Sequence, residues 1–264
     1  MLTFLALTAA VLYLAATAVF AWPMTQRQPL PRTLGPTLAG AAVFVHGWDL
    51  LGAHRGGVDL HFFAALSLVG ACIAALCLLV NLMRPVATLG VIVFPLAALL
   101  LLVDAFAAPA TQPLPIEWQI KLHVVFALLG FSVLCIAAVL AILLALQERA
   151  LRLHRFNGIA GALPPLTLTE ALMFQLIGAG FALLTLALLS GILFVDNLFA
   201  QHLIHKTVLS FAAWLVFGAL LFGRWRYGWR GSRAVRLTLT GMALLLLAYL
   251  GSRFVLELVL KRVP

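Results

Sequence analysis

Eight stretches of about twenty apolar residues run through this chain, at roughly 2–22, 33–53, 61–83, 85–106, 122–146, 171–195, 204–223 and 237–258. A bilayer core about 30 Å thick is crossed by about 20 residues of helix. Only 9% of the 264 residues are charged and 64% are hydrophobic, whereas a soluble domain carries about 25% charged residues. No water-soluble core of this length absorbs that much apolar surface. In lipid every backbone N–H and C=O must bond internally, which leaves helices for runs of this length. The sequence therefore predicts an all-α polytopic membrane helix bundle, a single integral membrane domain over 1–264 with eight transmembrane helices.

Punctuation and charge set the order of that bundle. Arg84-Pro85 reads as a tight turn with Pro at a helix start. The break at 147–170, with Pro164-Pro165 and several charges, reads as a loop. No basic residue precedes the first run, which begins at Leu2, so a retained first helix is expected. Basic residues collect in cytoplasmic loops. An N-out/C-out arrangement puts eleven of the 17 inside, at Arg27, Arg32, Arg84, Arg149, Arg152, Arg155, Arg224, Arg226, Arg230, Arg233 and Arg236. Lys261 and Arg262 count against it at the C-terminus. The net charge of +9 thus reads as topology, and no extended basic patch suggests nucleic acid.

The remaining polar residues skew the other way. Asp49, Asp59, Asp104, Glu117, Asp196 and Glu257 fall on the outer half, as do all the histidines except His154. Chemistry is expected on that side. Cys72, Cys77 and Cys135 lie inside apolar runs with no CxxC or CxxCH, so they read as packing residues and exclude covalent c-type haem attachment. No P-loop, HExxH or GxSxG occurs, which disfavours an enzyme.

Ionisable groups inside a membrane cost several kcal/mol by most estimates and usually face the bundle interior. His46 lies about two turns below the outer end of the second helix, with Asp49 three residues on along the same face. A carboxylate beside an imidazole fixes its tautomer and suits a metal ligand; an interhelical hydrogen bond explains the same residues structurally. His123 opens the fifth helix after Trp118 and Lys121. Neutral imidazole is an axial ligand for haem iron, and Lys121 or Arg55 would pair the propionates; an interfacial histidine without a role is the alternative. His202 and His205, beside Lys206, have i, i+3 spacing but make only half a metal site. Arg253 and Glu257 sit one turn apart and neutralise one another or line a path. The segment from Arg224 to Arg230 mixes arginine with aromatic residues, as interfacial anchors do. Gly40, Gly70, Gly130, Gly178, Gly180 and Gly191 are placed to let helices approach closely.

His205-Lys206 is followed by Ala213-Trp214-Leu215-Val216-Phe217, then by Gly228-Trp229-Arg230-Gly231 and Tyr249-Leu250-Gly251; upstream stands Leu122-His123-Val124. In these motifs the chain resembles the cytochrome c assembly membrane proteins of the CcsA/CcmC/HemX type. In length and helix count it looks most like the inner-membrane YpjD branch. The resemblance covers about 40–260 and is most specific over 204–253. It implies a bacterial inner-membrane location and a haem-handling role related to cytochrome c biogenesis. It also implies non-covalent b-type haem near the outer face, with His123 at an external ligand position and membrane or periplasmic protein partners. Two features depart from the family: the 196–205 loop is short and lacks tryptophan, and no histidine follows Gly251. The site expectation is thus His123 and His46 as axial ligands, with His205, Lys121, Arg55 and Asp49 around the cofactor. Two other readings stay open. One is a scaffold or regulatory membrane protein that keeps the fold without haem. The other is a small-molecule or ion transporter using Asp49, Asp104, Arg253 and Glu257.

Overall fold

The computed structural model describes residues 2–25, 31, 33–53, 61–84, 86–108, 117–153, 164–194 and 204–251. They form eight helices: α1 (Leu2–Thr25), α2 (Leu34–Ala53), α3 (Phe62–Met83), α4 (Ala87–Ala107), α5 (Trp118–Arg152), α6 (Leu166–Phe194), α7 (Ile204–Tyr227) and α8 (Gly231–Leu246). Each overlaps one of the apolar runs, and the end of the last run, beyond 251, lies outside the described residues. Seven are long and apolar enough to cross a membrane. The exception is α2, which carries Pro36, His46 and Asp49 among its 20 residues. No strand occurs among the described residues. The chain divides into two compact units, Met1–Pro115 with Arg149–Pro165, and Ile116–Glu148 with Leu166–Pro264.

In the first unit α1 packs on α2 and α4, and α3 on α2 and α4, so the four helices close a ring. Aromatic side chains fill it. Tyr13 stacks on Phe94 at 5.9 Å, and Phe20 lies 5.6 Å from the same ring. Phe20 fits because α2 and α4 present Gly35 and Gly90, where a Cβ would come within 3.1 and 3.3 Å of it. Lipid tails are as apolar as these side chains, so such close packing, and not expulsion from water, holds the helices together.

In the second unit α5 and α6 run antiparallel along a seam of small residues. A Cβ on Gly130 would lie 3.2 Å from Leu183, and one on Gly180 would lie 2.6 Å from Leu134. Next along the bundle α7 packs on α6. Trp214 stacks between Phe181 and Phe211 at 5.5 Å from each and donates its indole N–H to Thr185 Oγ1 at 2.9 Å. Beyond α8 the chain makes a π-helical turn, Leu247–Gly251, in which Tyr249 stacks on Phe131 of α5 at 5.0 Å.

Helix boundaries depart from hydropathy at the charged end of this unit. The expected break at 147–170 is shorter, because α5 continues to Arg152 and α6 begins at Leu166. The polar residues there have partners. Glu148 accepts a hydrogen bond from Ser232 at 3.0 Å. Glu170 is buried and receives Arg230 through Nε at 3.1 Å and Nη2 at 2.8 Å, with Arg224 at 3.2 Å. For the same reason α8 starts at Gly231, six residues before the last apolar run.

Candidate functional site

The α5–α6 seam delivers His123 to the last turns of α6. Its Nδ1 lies 2.9 Å from the Ala187 carbonyl oxygen and 3.1 Å from Ser190 Oγ, while Ser190 donates to the same carbonyl at 2.9 Å. A carbonyl only accepts, so Nδ1 carries the proton and Nε2 keeps its lone pair. Among the described residues Nε2 has no hydrogen-bond partner. Gly191 makes the approach possible: a Cβ there would stand 3.2 Å from His123 Cε1. A ring held through Nδ1–H by a backbone carbonyl, with Nε2 open, is the usual condition of a metal-ligating histidine.

The surroundings are part apolar and part polar. Trp118 and Phe194 close the seam one turn further out, with rings 6.1 Å apart. Gln119 lies one turn before His123 on the same face, and its Oε1 is shielded without a hydrogen-bond partner among the described residues. A buried amide oxygen left unpaired costs about 1–3 kcal/mol, so the site holds an unmet acceptor beside an open imidazole nitrogen. Lys121 is exposed two residues before His123, and His205 is exposed in the first turn of α7. The antiparallel order of α5, α6 and α7 puts Lys121, His123 and His205 at one end of this unit. The sequence alone pointed to His123 but missed Gln119, Ser190 and Gly191 as a group. Their meeting depends on a helix pairing that hydropathy does not encode.

His46 has a different environment. It is fully buried in the first unit, with Nδ1 3.2 Å from Tyr13 Oη and Nε2 3.1 Å from Ser67 Oγ. Its orienting partners are thus Tyr13 of α1 and Ser67 of α3, and not the expected Asp49. Asp49 lies one turn on, 8% exposed, with Oδ1 lacking a hydrogen-bond partner among the described residues. Val45, four residues before it, packs with Ala6, Ala9, Leu101 and Ala105. Both ring nitrogens of His46 are occupied, so it takes a metal only by giving one bond up. Arg55, His202, Arg253 and Glu257 lie outside the described residues. No group of three or more His, Cys, Asp or Glu able to hold a metal ion occurs among the described residues.

The second ordered polar feature is the α7–α8 connection. Gly228 and Gly231 adopt φ of +66° and +56°, a region that favours glycine. Between them Trp229 folds back onto Gly223, donating its N–H to the Gly223 carbonyl at 3.2 Å. Arg224 donates to the Trp229 carbonyl at 3.2 Å and to Glu170. Glu170, through its hydrogen bonds and then its charge, holds the Arg230 guanidinium above its ordinary value. The segment read as an interfacial anchor is held as a clamped turn.

Comparison with known proteins agrees with this architecture. The family model described as Cytochrome C assembly protein matches residues 30–260. Inner membrane protein YpjD of Escherichia coli (strain K12) is 40% identical over 139 residues, 52% of this chain and 52% of the relative. A 28.8 kDa protein of Azospirillum brasilense is 38% identical over 171 residues, covering 61% and 63%. The cytochrome c biogenesis protein CcsA of Guillardia theta is 28% identical over 165 residues, covering 56% and 54%. The match spans about half the length of the YpjD relatives. No solved structure matches the chain. With its membrane-crossing helices and these relatives, the chain is a multi-pass protein of the bacterial inner membrane.

Proposed function

This chain belongs to the cytochrome c assembly protein family, and on that premise we propose that its second unit binds haem non-covalently through His123, as part of a role in cytochrome c biogenesis. The observation that carries the reading is the state of the His123 ring: Nδ1–H is spent on Ala187 O at 2.9 Å, and Nε2 is left as a lone pair with no partner among the described residues. Haem supplies an iron that accepts an imidazole nitrogen and a macrocycle that needs apolar walls and charged partners for its propionates. The residues present fit that group. His123 offers the nitrogen, the Trp118–Phe194 pair an apolar wall, Gln119 an unpaired polar atom, and Lys121 an exposed cation.

The chain's own residues do three things in this reading. Ala187 and Ser190 fix the tautomer and hold the ring against rotation. Gly191 keeps the space that the ring occupies. His205, at the same end of the unit, is the candidate second histidine. His46 is secondary, because ligation there breaks a bond to Tyr13 or Ser67 and leaves a buried hydroxyl unpaired. The N-out orientation read from the basic residues places the His123 end on the outer side, where the propionates of a bound haem reach water.

The test is the visible spectrum of the detergent-purified protein, oxidised and reduced, for wild type, His123→Ala, His205→Ala and His46→Ala. A Soret band with sharp reduced α and β bands, weakened by His123→Ala and kept in His46→Ala, supports the assignment. A protein that stays colourless after expression with ample haem and reconstitution with hemin refutes it. The scaffold reading, in which the fold is kept without haem, then takes its place.

A further inference from the structure

The α7–α8 turn carries five arginines, and they fall into two groups. Arg224 and Arg230 are engaged by Glu170. Arg226, Arg233 and Arg236 are exposed and have no carboxylate partner among the described residues. These three are ordered all the same. The Arg226 guanidinium lies 5.6 Å over the Tyr227 ring, Tyr227 stacks on Trp229 at 6.2 Å, and Arg233 lies 5.2 Å over Trp229. The result is one continuous stack, guanidinium–phenol–indole–guanidinium, with Arg236 bonded through Nε to Ser232 O one turn along. Beside it an apolar cluster faces outward. Trp225 is 82% exposed, and Phe222 touches both Trp225 and Tyr227 at 6.1 and 6.2 Å.

We infer that this turn is a binding site for the headgroup of an anionic phospholipid, with Arg226, Arg233 and Arg236 forming the cationic face it meets and Phe222 and Trp225 in the acyl boundary. Charge complementarity selects the occupant. Free guanidiniums, already arranged on a rigid aromatic support, favour a phosphate diester. Exposed Trp and Phe at a helix end favour a ligand that lies in the membrane interface over one in bulk water. The turn falls on the side where the positive-inside rule puts the anionic leaflet. Because Glu170 pairs with both Arg224 and Arg230, it fixes the turn without engaging the other three. The inference stands apart from the haem reading, since the turn lies at the opposite end of the second unit from His123.

The experiment reconstitutes the protein in nanodiscs of roughly three parts phosphatidylcholine to one part phosphatidylglycerol. Lipid retained through native mass spectrometry is then counted for wild type and for the double variant Arg226→Gln/Arg233→Gln. Arg224, Arg230 and Glu170 are untouched, so the turn keeps its clamp, and an unchanged melting temperature verifies this. Wild type is expected to retain phosphatidylglycerol above its share of the mixture. The double variant loses that preference, by about fivefold for each arginine and roughly twenty-five-fold for both. No enrichment in wild type, or equal enrichment in the variant, overturns the inference. Displacement of the lipid by millimolar inorganic phosphate also overturns it and assigns the turn to a soluble anion. Displacement by an acidic peptide overturns it in favour of a protein partner.

Discussion

Gly178 and Gly180 sit two residues apart on α6 and give the sharpest test of the packing. A Cβ at Gly178 meets nothing within 4 Å. A Cβ at Gly180 lands 2.6 Å from Leu134 Cγ and 2.7 Å from Leu134 Cδ2. Carbon atoms rest about 3.5–4.0 Å apart, so the overlap is roughly 1 Å. Leu134 has no room to retreat, since it is fully buried with Ile136 and Ala137 on the same helix. The α5 and α6 backbones must therefore part, and overpacking of this kind costs about 1–3 kcal/mol. Alanine also gains up to about 1 kcal/mol of helix propensity over glycine. Gly178→Ala is thus expected to be neutral or slightly stabilising. Gly180→Ala is expected to lose about 1–2 kcal/mol net, and Gly180→Val more. Thermal unfolding of the detergent-purified protein, followed by intrinsic fluorescence, measures the pair side by side. Equal melting temperatures for the two alanine variants would show that the seam does not pack as described.

Three further expectations concern the polar sites. Gly191→Ala presses on the His123 ring at 3.2 Å and Ser190→Ala removes its 3.1 Å partner; both should shift the Soret band of haem-loaded protein while cutting its content less than His123→Ala does. Loss of Ser190 costs about 0.5–1.5 kcal/mol, which a thermal melt checks. His46→Ala strands Tyr13 Oη and Ser67 Oγ in the first unit, and about 1–3 kcal/mol for each buried group left unpaired should lower the melting temperature clearly. The triple variant that adds Tyr13→Phe and Ser67→Ala should recover part of that loss, and no recovery would argue against the hydrogen-bond chain. Glu170→Gln should loosen the α7–α8 turn and redshift the fluorescence of Trp229. The difference from wild type should shrink in high salt, because Arg230 is 59% exposed; a salt-independent difference would assign the loss to packing.

Much of the architecture is legible in the sequence because lipid imposes a local rule. A membrane-crossing segment must be long and apolar on its own, so the eight runs mark eight helices without knowledge of neighbours, seven of them apolar enough to cross. His123 is legible too, as a histidine at a helix start beside Trp118 and Lys121. The first failures come where a polar residue is rescued by a partner far along the chain. Glu148 and Glu170 look like loop residues until Ser232, Arg224 and Arg230 are placed against them. His46 and Asp49 share a helical face, yet the imidazole bonds across to Tyr13 and Ser67, which are 33 and 21 positions away.

The glycines divide the same way. All of those singled out by composition are equivalent in the sequence, but Gly130, Gly180 and Gly191 carry the α5–α6 seam while Gly178 faces open space. Sequence by itself determined the membrane class, the number and order of helices, and the place of His123 at a helix start. Tertiary structure decided which small residues are contacts, which ring nitrogen is open, and which arginines are spent on Glu170. The physical reason is that hydropathy is a property of a segment against its solvent. A hydrogen bond, an ion pair or a close approach is a property of two segments, and only the packing of one helix on another supplies the second.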